Sequence, residues 1–139
     1  ENRPDIFGEQ LIMNENDEIV GEEKYLLSNA TTVTVDECPA LAQKFGGICY
    51  PAHIDREANG IISTLGTLPD IEGFKNVEFH NGEREAEYRE KYPIGNRRAL
   101  VCSDAHYLWD IRDKDKFLLI DDEPYSSKLV RRRVFEALR

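Results

Sequence analysis

A chain of 139 residues, 40% apolar and 32% charged, has the length of one domain and the composition of an ordinary globular protein. Its net charge of −9 is spread along the sequence, which disfavours binding along a nucleic-acid backbone but leaves room for a small phosphorylated substrate held through cations. No apolar run approaches a membrane span, and the start Glu1-Asn2-Arg3-Pro4-Asp5 reads as that of an excised segment rather than a signal peptide.

In chain order, the first third reads as β-rich. Ile6 to Met13 and Ile19 to Leu27 are strand candidates joined by the polar stretch Asn14 to Glu18, a hairpin loop. Gly8 and Gly21 weaken both strands, so the hairpin is expected to be irregular. Thr34 with Glu37 forms a capping box, and Val35, Cys38, Leu41, Ala42 and Phe45 recur at helical spacing up to Gly46-Gly47. Ile48 to Ala52 is a short apolar run of the kind that forms a buried strand. The spacing then predicts a short helix over Glu57 to Leu65 ended by Gly66, and a strand from Val77 to His80. A polar helix or turn over Gly82 to Tyr92 closes at Pro93, and Ala99 to Cys102 forms a second buried strand. Phe117 to Ile120 is a further strand candidate. Ser126 to Leu138 is the final helix, with Leu129, Val130, Val134 and Leu138 inward. The domain therefore divides into a hairpin region, 1–33, and βα units, 34–139. That alternation argues for parallel strands covered by helices, a layout that gathers chemistry at the strands' C-terminal ends.

Of the three cysteines, Cys49 and Cys102 sit in apolar runs and none belongs to a Cys-x-x-Cys pair. Cys49 and Cys102 read as buried free thiols in a reducing compartment, the cytoplasm.

Polar residues do follow the strand candidates. His53, Asp55 and Arg56 come after Ile48 to Ala52, Asn81 after the Val77 strand, and Ser103-Asp104-Ala105-His106 after Ala99 to Cys102. In an extended segment, Asp104 and His106 project to the same side, offering one hard oxygen and one borderline nitrogen to a divalent ion. His53 is the natural third ligand. Two readings stand on spacing alone: a metal site, or a short Asp-x-His segment and a loop histidine held by hydrogen bonds.

Two stretches carry a family resemblance. Gly47-Ile48-Cys49-Tyr50-Pro51-Ala52-His53-Ile54-Asp55-Arg56 resembles the third motif of the PHP (polymerase and histidinol phosphatase) superfamily, and Ala99-Leu100-Val101-Cys102-Ser103-Asp104-Ala105-His106 resembles its fourth. The similarity runs from about Gly46 to Arg139, and the region before Thr34 is similar to an element inserted in some bacterial members. The resemblance implies the C-terminal part of a distorted (β/α)7 barrel and metal-dependent hydrolysis of phosphoesters. It implies two or three divalent ions (Zn, Mn or Fe) in the complete domain, with His53, Asp104 and His106 as metal ligands.

The first motif, a His-x-His, and the second, with its bridging Glu, have no counterpart here, and Ile54 stands where proline is frequent. The chain is thus expected to be a partial PHP domain whose partners are the missing N-terminal half of the barrel and a small phosphorylated metabolite or nucleotide. Membrane is excluded, and nucleic acid is expected only as substrate. The alternative is a catalytically inactive structural or regulatory module. Arg56 is a candidate phosphate contact, an arginine being suited to bidentate recognition. His80 reads as a packed or surface histidine more readily than as a site residue. Arg97 and Arg98 read as surface ion pairs, Arg131 to Arg133 as a solvated helix face, and Tyr107 and Trp109 as core.

Overall fold

The computed structural model describes residues 1–112, 117–120 and 127–139, the last helix by its backbone alone over 127–129. The chain is mixed α/β and divides into two compact units, Glu1–Thr34 and Val35–Arg139.

In the first unit a short helix, α1 (Pro4–Phe7), precedes an antiparallel hairpin of β1 (Leu11–Met13) and β2 (Ile19–Glu22). The helix replaces the start of the expected Ile6–Met13 strand. Pro4 favours a first helical turn, where its missing N–H costs nothing, and Gly8 ends it. Asn14 shapes the loop. Its Oδ1 accepts from Asn16 N at 2.9 Å and Glu18 N at 3.0 Å, and Asp17 takes a left-handed φ of +59°. The register slips between Ile12 and Met13, the irregularity that the glycines led us to expect. Beyond Glu22 the strand does not continue. Gln10 instead holds the chain through its side chain, donating to the Glu23 and Tyr25 carbonyls and accepting from Leu27 N.

The second unit is built on two parallel strands, β3 (Asn76–Phe79) and β4 (Arg98–Val101), paired in register from Asn76↔Arg98 to Phe79↔Val101. Before them come α2 (Cys38–Lys44) and α3 (Ile61–Leu65); between them a 3-10 turn (Gly82–Arg84) leads into α4 (Glu85–Lys91). Asn81 starts that turn by accepting from Glu83 N at 3.0 Å, and acids in the first turn of α4 with bases in its last suit the helix dipole. Gly66 ends α3 in the left-handed conformation that glycine adopts without penalty. A buried cluster of Ile54, Ile62, Leu68, Val77, Phe79, Tyr88 and Ile94 joins these elements, with Phe79 meeting Tyr88 edge-on at 5.8 Å.

The expected strand at Ile48 to Ala52 is not a regular one. Its end still lies along β3 in the parallel sense, because Glu78 N donates to the Pro51 carbonyl (3.0 Å) and Glu78 O accepts from Ile54 N (2.8 Å). A regular parallel ladder would reach residues two apart, not three, so one extra residue is bulged out. Phe117 to Ile120 carries no regular structure, and Phe117 and Leu119 are exposed. No closed barrel is present among the described residues, and their regular sheets have two strands each.

The final helix, α5 (Ser127–Leu138), docks its C-terminus at the start of the parallel pair. Asn76 Nδ2 donates to Leu138 O at 2.6 Å, and Arg98 Nη1 donates to Ala137 O, so the two strands supply donors for carbonyls the helix leaves unpaired. Arg98 is thus a cap, while Arg97 pairs with Asp70 at 2.7 Å and Arg132 and Arg133 pair with Glu136. Of the expected inner face, Val134 and Leu138 are half-buried and Val130 is exposed; Ser126 and the Leu129 side chain lie outside the described residues.

Candidate functional site

Residues 53–56 are positioned by the bulge beside Glu78. His53 takes a φ of +27°, rare for a residue with a Cβ, and its N–H reaches the Glu78 carboxylate at 3.3 Å. Such strain is sustained only where the surroundings fix it. Here Ile54 is fully buried next door, and the turn closed by Arg56 N on His53 O (3.0 Å) packs onto Gly60, where a Cβ would lie 2.8 Å from the Arg56 carbonyl oxygen. Asp55 is only 4% exposed, and its carboxylate accepts from His80 N at 2.7 Å and Asn81 N at 2.8 Å. Its carbonyl accepts from Arg84 Nη1 at 2.6 Å. Asp55 therefore pins the C-terminal end of β3 to the His53 loop.

Residues 103–106 follow β4, whose pairing extends one step through Cys102 N to Phe79 O (3.1 Å). Asp104 also has a left-handed φ, +50°. Both motif segments thus turn at a strained residue at the same end of the parallel pair. His53 Nε2 lies 4.0 Å from Asp104 Oδ2, and the same oxygen is ion-paired with Arg56 Nη1. His106 turns its Nδ1 to the Asp104 carbonyl oxygen at 2.7 Å. A carbonyl only accepts, so Nδ1 is the donor in this contact.

The metal set predicted from the sequence is brought together in part. The donors fit a divalent ion in kind, one carboxylate and two imidazoles, and His53 and Asp104 face one another. Among the described residues, however, no group of three His, Cys, Asp or Glu side chains is gathered tightly enough to hold an ion. His53 Nδ1 is buried without a hydrogen-bond partner, so the outer contact that usually orients a ligating imidazole is missing among the described residues.

A pocket of ≈ 470 Å³ opens beside Asp104, walled by Arg56, His80, His106, Tyr107, Asp110 and Arg112 among others. His80 is half-buried, with its Nδ1 buried while the residue borders this pocket, and Arg112 Nη2 donates to its carbonyl at 2.6 Å. Sequence reasoning missed Asp110, in the 3-10 turn Leu108–Asp110, and Arg112 just after it, neither of which carries a periodic signal. It noted Asp55 without a role, although its position two residues from His53 and its carboxyl group mark it as a backbone clasp. Tyr107 and Trp109 are not core; they stack on each other at 4.9 Å, with Trp109 80% exposed. Cys49 and Cys102 are half-buried free thiols rather than fully buried ones. Burial raises both pKa values, and at Cys102 the neighbouring Glu78 carboxylate adds to the rise. No helix among the described residues is long and apolar enough to cross a membrane. Compared with models of known families, with curated proteins and with solved structures, the chain matches none.

Proposed function

We propose that this chain is the C-terminal portion of a PHP-type phosphoesterase, a cytoplasmic enzyme in which it contributes part of a distorted (β/α)7 barrel. His53, Asp104 and His106 are its share of a divalent-metal site that serves hydrolysis of phosphoester bonds in a small phosphorylated metabolite or nucleotide. One observation carries this reading: two motif segments far apart in sequence meet at one end of a parallel strand pair, with His53 Nε2 4.0 Å from Asp104 Oδ2. The C-terminal strand ends are where α/β barrels place their chemistry.

Divalent ions bound there supply Lewis acidity, lowering the pKa of a water and offsetting charge on the phosphoryl oxygens. The chain's own residues orient and select. Arg56 and Arg112 border the pocket as cations suited to an anionic group, and the Asp55 clasp holds the His53 loop against the end of β3. The rest of the metal site comes from the barrel's other half.

A second reading, a non-catalytic structural or regulatory module, is favoured by the absence of a three-ligand cluster among the described residues. Metal content and Mn²⁺-dependent hydrolysis of an aryl phosphate separate the two. By itself this chain should bind Mn²⁺ weakly and turn over no phosphoester. The protein joined to the rest of its barrel should bind about two ions or more and hydrolyse the ester. Asp104→Ala should then lower the rate at least about a hundredfold with little loss of fold stability. A metal-free protein, or an unchanged rate in the variant, leaves the module reading.

A further inference from the structure

Tyr107 and Trp109 stack with ring centroids 4.9 Å apart and planes only 4° from parallel. Each ring has one face on the other, yet both stay open to solvent, Tyr107 at 61% and Trp109 at 80% exposed. Rings this large, left in water, gain by being covered wherever a partner fits them. The stack begins at a pocket wall, since Tyr107 also lines the ≈ 470 Å³ pocket beside Asp104, a size common among ligand sites. That wall is strongly polar. Arg56 is ion-paired with Asp104, whereas Asp110 and Arg112 make no ion pair among the described residues. An apolar protein segment laid over the rings would strip water from these charges without replacing its hydrogen bonds. A flat ring with polar edges, carrying an anion, suits both the stack and the charges.

We propose that the Tyr107–Trp109 stack is a nucleobase platform, so that the phosphorylated compound taken by this pocket is a mononucleotide rather than a sugar phosphate. The base extends the stack of rings. Arg112 offers its guanidinium to the phosphate, and Asp110 accepts from hydroxyl or amino groups of the same ligand. Stacking selects for a base without choosing among bases, since each has a π-face. The proposal rests on the reading of this pocket as the place of a phosphorylated compound, and it requires no bound cation.

Trp109 is the chain's only tryptophan, so its fluorescence reports on the platform directly. The test is titration of AMP and of ribose 5-phosphate, without added metal, into the unmodified chain, Trp109→Leu and Trp109→Phe, with affinity read by calorimetry. In the unmodified chain AMP should quench Trp109 and bind about tenfold more tightly than ribose 5-phosphate, which lacks the base. Trp109→Leu should lower the AMP affinity to that of ribose 5-phosphate and leave the sugar phosphate's binding unchanged. Trp109→Phe, which keeps a ring, should restore most of the difference. Equal affinities for the two compounds in the unmodified chain, or AMP binding unaltered in Trp109→Leu, overturn the platform while the phosphate pocket stands. Binding of neither compound overturns both. If Trp109→Leu folds poorly, the unmodified chain decides: AMP that binds without quenching Trp109 overturns the platform.

Discussion

None of the residues from Glu1 to Thr34 is buried, whereas the second unit contains every buried side chain of the described residues. The first is kept in shape by polar side chains acting on backbone: Gln10 bridges to residues 23, 25 and 27, and Asn14 closes its own loop. The second rests on apolar burial around Phe79, reinforced by a buried carboxylate that ties two segments together. A two-stranded hairpin without a covered face is marginal in water, while a cluster of seven buried residues resists local opening. The difference teaches that strand content alone says little about where stability resides.

Substitutions should separate the two regimes. The largest loss is expected from Phe79→Ala, about 3–5 kcal/mol by denaturant unfolding, because a fully buried ring leaves a cavity that its neighbours cannot fill. A loss below about 1 kcal/mol would mean that the cluster is not the structural centre. Asp55→Ala comes next, at about 2–3 kcal/mol, since the His80 and Asn81 N–H groups lose a buried acceptor. The same change should alter the His53 ring environment seen by nuclear magnetic resonance, as the loop is then unclasped. Gln10→Ala should cost least, about 1 kcal/mol, and its effect should appear as faster amide exchange over residues 10–27. A fall in the main unfolding transition matching that of Phe79→Ala would erase the distinction between the units.

Much of the second unit was legible because its elements carry local signals. Val77 and Phe79 alternate into the core, Gly66 and Pro93 punctuate, and the acid-to-base order of α4 suits a helix. Where the reading failed, the deciding partner was distant. Ile48 to Ala52 has strand composition, yet the bulge at His53 breaks its ladder, and that bulge is fixed by Glu78, Asp55 and Gly60 rather than by neighbours in the run. Tyr107 and Trp109 are apolar enough for a core, but burial depends on what covers them, and each has the other.

The sequence by itself determined that two short strands flank a helix in the second unit, that a hairpin precedes them, and that Asp104 and His106 follow a strand end. Those features depend on residue type and spacing, which a linear pattern expresses in full. Tertiary structure alone decided that Arg56 claims the Asp104 carboxylate, that Asp55 clasps the end of β3, and that Asn76 and Arg98 cap the final helix at the opposite end of the strand pair. Each of these pairs a charged or polar group with one distant in the chain. A polar side chain has several partners of suitable chemistry in any sequence, and only the packed backbone brings one of them within hydrogen-bonding distance.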